Sequence, residues 1–402
     1  MNPAPARILV LTAGFGEGHN AAARNLAAAL DAEHGPGTAH LADLFALVSP
    51  RLNAVTRRAY LAAINRTPRL WSRFFAWLDR ARPLPRHLWV FRREQACLAR
   101  LLADIQPAAV CSTYPVYGFM LDALAAAGGL RAPHVNVVTD SISIHSLWLL
   151  PRCAAWYVPN PDTAAVLADA GIPAERIHAL GFPVPALLSD HAAPLHPPNL
   201  AAGHRPRVLF IINSGTRHAE ATARRLLAEP DWEVTCAVGR DEALRQRLHA
   251  LAARRPAPAV ILGWTDQIPR LLLTHHVVIS KAGGATTQEA VAARCPIIVN
   301  QVVPGQEEGN HELLRRHRIG AYAPDPDAVI ATLRTAFAGR GARWREWRAA
   351  LEPLARPHAA RAIARHLLAS IPPPPPPLCH AMRDKARGDG EGAARTLSPH
   401  HG

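Results

Sequence analysis

Near its start the chain runs from a short apolar stretch straight into a glycine-rich loop and then an alanine- and leucine-rich segment: RILVLT at 7–12, AGFGEGH at 13–19 and a helical pattern over 20–30. An uninterrupted apolar run of this length reads as a strand buried on both faces, which is the habit of parallel sheets flanked by helices. The same order recurs with VLFII at 208–212, NSGTRH at 213–218 and a helical pattern through 227. Two openings of one design imply two α/β halves. Further strand-like runs fall at 108–112, 134–138 and 155–158 in the first half, and at 233–238, 259–262, 277–280 and 296–299 in the second. Alternation with helical stretches predicts doubly wound parallel sheets. Turn and linker chemistry in SDHAAPLHPP (189–198) sets the boundary. The reading is a first domain over 1–190, a second over 205–370, and a tail over 371–402 whose six prolines, 372–377, exclude helix and ladder. Open α/β sheets bind ligands beyond the carboxyl ends of their strands, so a two-half chain is expected to bind in the cleft between halves.

The loops at those strand ends carry the chemistry. SKAGGATTQEA (280–290) follows an apolar strand and opens a helix near Thr286. Gly283 and Gly284 allow close backbone approach, and the free N–H groups of the helix start suit a phosphate. Glu289, one turn in, can accept two ribose hydroxyl hydrogen bonds. A helix capped by Thr286 or Thr287, with Glu289 in a capping box, reads equally well from this segment alone. PGQEEGN (304–310) follows the next strand, and Gln306, Glu307 and Asn310 offer the amides and carboxylate that hold sugar hydroxyls. Together the two loops point to a nucleotide-sugar site. In the first half, Gly14, Gly16 and Gly18 precede His19. Their spacing is not the dinucleotide pattern, and Asp43 is a loose match for the acid that holds an adenosine ribose. His19, at a glycine-relaxed helix start, is placed either as a base or as a cap.

The segments LTAGFGEGH (11–19), VTDSISIH (138–145) with Trp148, GIP (171–173), GFPV (181–184), GWTD (263–266), 280–289 and 304–310 resemble, in order and spacing, the lipid glycosyltransferases that include monogalactosyldiacylglycerol synthase and the bacterial processive diacylglycerol glucosyltransferase. These are relatives of the peptidoglycan lipid I N-acetylglucosaminyltransferase. The resemblance implies a GT-B fold, two Rossmann-like domains facing a central cleft, and inverting, metal-independent transfer of a hexose from a UDP-sugar with no cofactor. It implies that Trp264 and Thr265 flank the uracil, that Gly215, Gly283, Gly284 and Thr286 face the diphosphate, that Glu289 binds the ribose, and that Gln306, Glu307 and Asn310 hold the sugar. His19 would be the general base, with Gly14, Gly16, Gly18, Asp140, His145 and Trp148 framing the acceptor. The chain departs from the family in keeping only Gly215 of a usual glycine run, in having Ala13 where plant enzymes have an acid, and in having Cys295 where glycine is common.

The chain has 45 Lys+Arg against 31 Asp+Glu, a formal charge of +14, and all but Lys281 and Lys385 of the basic residues are arginine. Residues 51–93 alone hold eleven arginines against one acid, Asp79, interleaved with Trp71, Phe74, Phe75, Trp77, Trp89 and Phe91. Arginines and aromatics interleaved in this way suit an interfacial helix on anionic lipid, with Arg57, Arg58, Arg69, Trp71, Arg73, Phe74, Phe75 and Trp77 as the contact residues. Trp71, Phe74, Phe75 and Leu78 at i, i+3, i+4, i+7 also fit a buried helix face. A nucleic-acid partner is not favoured, since no named module occurs and the sugar-rim loops would go unexplained. Six scattered cysteines lack the pairing of a zinc site or the density of a disulfide scaffold, and no apolar run reaches the ~18 residues of a membrane span. A cytoplasmic protein held peripherally at the membrane is expected, with a UDP-hexose and a diacylglycerol-type lipid as substrates. The alternatives are a polyprenyl-diphosphate acceptor, a UDP-sugar 2-epimerase, which would need further carboxylates in the cleft, and a non-catalytic lipid-binding protein.

Overall fold

The computed structural model describes residues 7–371 except 15, 82–83, 85–86, 191–194, 213–217 and 306, and except the side chains at 52, 57, 60–62, 64–66, 68–69, 71–72, 75–76 and 78. The proline-rich tail from 372 lies outside the described residues.

Among the described residues twelve strands form two six-stranded sheets, and every strand pairing is parallel. In chain order they are β1 (Ile8–Thr12), β2 (Ala39–Asp43), β3 (Ala109–Ser112), β4 (His134–Val137), β5 (Ala155–Tyr157), β6 (Ile177–His178), β7 (Arg207–Ile211), β8 (Glu233–Ala237), β9 (Ala259–Leu262), β10 (Val277–Lys281), β11 (Ile297–Gln301) and β12 (Gly320–Tyr322). The first sheet has the order β2-β1-β3-β4-β5-β6 and the second β12-β11-β10-β7-β8-β9. Side chains of β1 serve both faces: Ile8 and Val10 join Leu26 and Leu30 of the helix Glu17–His34, while Leu9 and Leu11 join Leu98, Tyr117 and Met120. Two-sided burial of this kind explains the unbroken apolar reading of the strand. The expected doubly wound, two-half architecture is the one observed.

Strand order reverses between β1 and β3 in the first sheet and between β7 and β10 in the second. These switch points open crevices at the strands' carboxyl ends. The loops after β1 and β3 and the loop after β10 therefore face one another across the cleft.

Three expectations need correction. The first long helix begins at Glu17 rather than 20, which places His19 inside its first turn. The helix after β10 begins at Gly284 with Gly283 as its N-cap and without a side-chain cap bond, so neither Thr286 nor Thr287 is the cap. The second domain does not keep the chain to 370: in the helix Ala359–Ser370, Ile363, Ala364 and Leu367 pack with Leu26, Leu30 and Val10 in the first half's core. Arg361 and Arg365 reach Glu33 there at 3.0 and 2.7 Å.

Between β2 and β3 stand the helices Pro50–Arg66 and Pro68–Ala81, which form a hairpin beside the cleft. Among the described residues no helix is long and apolar enough to cross a membrane.

Candidate active site

Thr12 and Ser112 end β1 and β3, and the residues just beyond them build one wall of a cleft cavity of about 770 Å³. His19 is its centre. The ring's Nδ1 lies 2.7 Å from the carbonyl oxygen of Thr113 and 2.9 Å from the hydroxyl of Thr139. A carbonyl oxygen only accepts, so Nδ1 carries the proton and Nε2 is left as the lone-pair nitrogen of the neutral ring. Tyr114 packs edge-on to the imidazole at 5.2 Å between ring centroids, and Trp148 lies 6.3 Å away. Burial lowers the pKa of His19, opposed by the charge of Asp140 and by the bond to Thr113. Burial likewise raises the pKa of Asp140, opposed by His19 and by the indole of Trp148, which donates to Oδ2 at 2.7 Å. Each charge disfavoured by burial is thus supported by the other.

The opposite wall comes from the second half. The N-terminal turn of the helix Gly284–Ala292, whose first N–H groups have no intrahelical acceptor, faces the cavity, which Gly283, Gly284 and Thr286 line. The halves approach closely here, since a Cβ on Gly284 would lie 3.3 Å from the Thr139 carbonyl oxygen and one on Gly18 would lie 3.8 Å from the Ala285 nitrogen. Lys281 Nζ bonds Glu307 Oε1 at 2.7 Å, and Glu307 Oε2 accepts from the Val303 nitrogen at 3.0 Å. A cation and a helix N-terminus side by side form an anion-binding surface. The hairpin closes the third side with Thr56, Ala59, Ala63 and Phe74.

Of the residues expected here, the cavity brings together Gly16, Gly18, His19, Asp140, His145 and Trp148 with Gly283, Gly284, Thr286 and Glu307. Gly14 lies behind it, its N–H held by Asp43 Oδ2 at 2.9 Å, while Asp43 Oδ1 caps the helix Leu44–Val48. Asp43 thereby anchors the loop after β1. Trp264, 70% exposed, and Thr265 follow the edge strand β9 and do not reach the cavity. Asn310 is buried, donating to the Ala282 carbonyl at 3.0 Å, and does not line it either. Glu289 packs under the helix Glu17–His34, where burial and Glu17 push its carboxyl up to about 7 against the pull of Arg24. Gly215 and Gln306 lie outside the described residues, as do the side chains of Arg57, Arg69, Trp71 and Phe75. Arg58 and Arg73 are exposed, and Phe74 and Trp77 stack at 6.0 Å with 47% and 55% exposure, so at Phe74 the buried-face reading fails. Among the described residues there is no metal-binding cluster of His, Cys, Asp or Glu.

Sequence reasoning left Lys281, Thr113, Tyr114 and Thr139 without roles. One signal was present: Lys281 is one of only two lysines in a chain that otherwise uses arginine.

Residues 19–184 match the family model of monogalactosyldiacylglycerol (MGDG) synthase. A processive diacylglycerol beta-glucosyltransferase of Bacillus thuringiensis (strain Al Hakam) is 26% identical over 329 residues, covering 81% of this chain and 84% of that protein. Among solved structures, MurG of Acinetobacter baumannii aligns over 91% of this chain and 100% of its own with TM-score 0.59 and 14% identity. The UDP-GlcNAc 2-epimerase of Neisseria meningitidis, solved with UDP-GlcNAc, aligns over 90% of this chain and 100% of its own with TM-score 0.57 and 13% identity. By these comparisons the chain is similar to the monogalactosyldiacylglycerol synthases over residues 19–184 and to the processive diacylglycerol beta-glucosyltransferases over most of its length, and its fold is of the GT-B type.

Proposed function

We propose that the chain transfers a hexose from a UDP-sugar to a diacylglycerol-type lipid at an anionic membrane surface, with inversion and without a metal ion. The observation that carries this reading is the neutral His19 tautomer, fixed by Thr113, in a cavity with a helix N-terminus on one side and Ala59, Ala63 and Phe74 of the hairpin on another. The acceptor hydroxyl gives its proton to His19 Nε2 as its oxygen bonds to the anomeric carbon. The bond from that carbon to the diphosphate breaks on the opposite face, and UDP leaves with the electron pair. Asp140 supports the imidazolium that results. Lys281 and the N–H groups of Gly284–Ala292 offset the charge growing on the diphosphate, the part a metal plays elsewhere.

In this reading Glu307 receives sugar hydroxyls on the lone pairs that Lys281 and Val303 leave open. Gln306 and Asn310 assist from the same loop. Glu289 serves the ribose, and Trp264 and Thr265 the uracil, at the outer end of a longer donor groove. Residues 51–93 meet the bilayer from the cytoplasmic face.

The deciding experiment incubates the protein with each UDP-hexose and anionic vesicles with or without diacylglycerol, after treatment with EDTA. UDP release that requires diacylglycerol, with a hexosyl-diacylglycerol seen by mass spectrometry, is the expected result. Equal UDP release without lipid acceptor overturns the proposal, and loss of activity with EDTA overturns the metal-free part.

A further inference from the structure

Asp79 is the one acid among the eleven arginines of residues 51–93, and it sits near the end of the helix Pro68–Ala81, which exposes Phe74 and Trp77. Its carboxylate crosses to another part of the molecule. Oδ1 accepts from the backbone N–H of Ser146 at 2.7 Å, and the Asp79 carbonyl oxygen accepts from the Ser146 hydroxyl at 3.1 Å. Ser146 opens the short helix Ser146–Leu149, in which His145 Nδ1 accepts from the Leu147 nitrogen at 3.2 Å. That nitrogen therefore carries no proton, and its 3.5 Å approach to Asp79 Oδ1 is not the bond that holds the pair.

Two residues further along the same turn, Trp148 is fully buried and donates its indole N–H to Asp140 Oδ2 at 2.7 Å. The Trp148 carbonyl oxygen accepts from the indole of Trp156 at 2.9 Å. The turn is thus anchored to the core at one end and to the hairpin at the other. A continuous chain of bonded groups runs from the exposed aromatics through Asp79, Ser146 and Trp148 to the carboxylate beside His19.

We propose that Asp79 is a positioning residue: it couples the seating of the helix Pro68–Ala81 on lipid to the orientation of Asp140 at the reacting centre. This rests on the lipid-acceptor reading above. A hairpin lifted from the surface leaves the turn Ser146–Leu149 free to shift, and Trp148 no longer holds Asp140 in register with the imidazole. A displacement of about 1 Å at such a group is enough to cost ~10²-fold in rate.

The test uses the full chain with UDP-hexose and anionic vesicles containing diacylglycerol. Asp79→Ala is expected to lower kcat by about 10- to 100-fold, with KM for UDP-hexose and co-sedimentation with vesicles little changed. Asp79→Asn, whose amide oxygen still accepts from Ser146, is expected to restore most of kcat. An unchanged kcat in Asp79→Ala, vesicle binding lost in step with activity, or Asp79→Asn as damaged as Asp79→Ala would each overturn the proposal. Hydrogen exchange at the Ser146 amide supplies a readout independent of turnover. Faster exchange in Asp79→Ala supports the link, and unchanged exchange overturns it. A wild-type protein that transfers no hexose to diacylglycerol would sink the lipid-acceptor reading, while the exchange result still decides whether Asp79 holds the turn.

Discussion

The imidazole of His19 and the carbonyl of Thr113 meet at 2.7 Å through Nδ1, and this contact decides which nitrogen of the ring is basic. Since burial holds the pKa of His19 below its ordinary value, the ring is neutral at pH 7 and kcat should be flat through neutrality, falling only on the acid side. Asp140 opposes that lowering. Asp140→Asn removes the opposing charge, so the acid limb of the kcat profile should move to lower pH while the plateau drops about 10- to 100-fold as basicity is lost. His19→Ala should cost ~10²–10⁴ in kcat. A limb that stays in place in Asp140→Asn would detach Asp140 from His19.

Glu289 gives a prediction about stability. With its carboxyl pushed up to about 7, the folded chain binds that proton more tightly than the unfolded chain does. The stability this contributes is present below the unfolded value and is lost as pH rises through about 7. Glu289→Gln should match the wild type near pH 4.5 and exceed it at pH 8 by on the order of 3 kcal/mol in chemical denaturation. The same substitution should raise KM for the UDP-sugar several-fold, because the amide keeps one acceptor oxygen of the two and a single hydrogen bond to ribose is worth ~0.5–1.5 kcal/mol. Gain of stability with no change in KM would leave Glu289 a half-buried acid with no part in donor binding.

The elements legible in the sequence were those whose signal is local. Unbroken apolar runs announced β1, β7, β10 and β11, and the glycine loops behind β1 and β10 announced the crevices. The return of the helix Ala359–Ser370 to the first half was not legible, because an apolar helix face shows that something covers it without showing what. The partial burial of Glu289 near Glu17 and Arg24 depends on two helices meeting across the cleft, which no window of sequence contains. Asp79 stood out as a lone acid among arginines, but its partner Ser146 lies sixty-seven positions away.

At Gly309 the halves press closely together. A Cβ there would lie 1.7 Å from the Ser141 carbonyl oxygen and 2.6 Å from the Ser143 nitrogen, both backbone atoms that cannot swing aside. The facing turn is itself constrained, with Ile142 at φ +57° and its N–H held by Thr163 at 3.0 Å. Nearby, Asp162 reaches across to His317 at 2.7 Å and Arg316 at 3.3 Å. Gly309→Ala should therefore open the cleft, enlarge the radius of gyration in small-angle scattering, and reduce kcat/KM by about tenfold or more. A variant that opens yet stays as active as the wild type would show that the closed cleft is not the working form, and one that stays as compact would show that the Gly309 contact does not hold the halves together.

Lys281 and Glu307 form a pair whose two functions separate by mutation. The Glu307 side chain is 8% exposed, so Lys281→Met leaves a buried carboxylate short of its counter-ion and should destabilise the fold by ~1–3 kcal/mol. The same change removes the cation beside the helix N-terminus and should raise KM for UDP-hexose at least about tenfold. Adding Glu307→Gln should recover the stability and leave KM high, a non-additivity expected of touching residues. Recovery of KM in the double variant would place the diphosphate elsewhere.

The hairpin decides whether the charge excess acts on lipid. Phe74 and Trp77 stack on each other in the open, with Arg58 and Arg73 exposed on the same pair of helices. Burying the exposed parts of two aromatic rings in a bilayer is worth roughly 2–3 kcal/mol in all, and each arginine near an anionic surface adds ~1 kcal/mol. Phe74→Ser with Trp77→Ser should cut partitioning into anionic vesicles by about 30- to 100-fold with little loss of thermal stability, since neither ring is buried. Arg58→Gln with Arg73→Gln should give a smaller loss that disappears in high salt, where screening has already removed the attraction. Turnover on a soluble short-chain diacylglycerol should survive both pairs better than turnover on vesicles. Unaltered partitioning in the aromatic pair would assign the two rings to something other than the membrane.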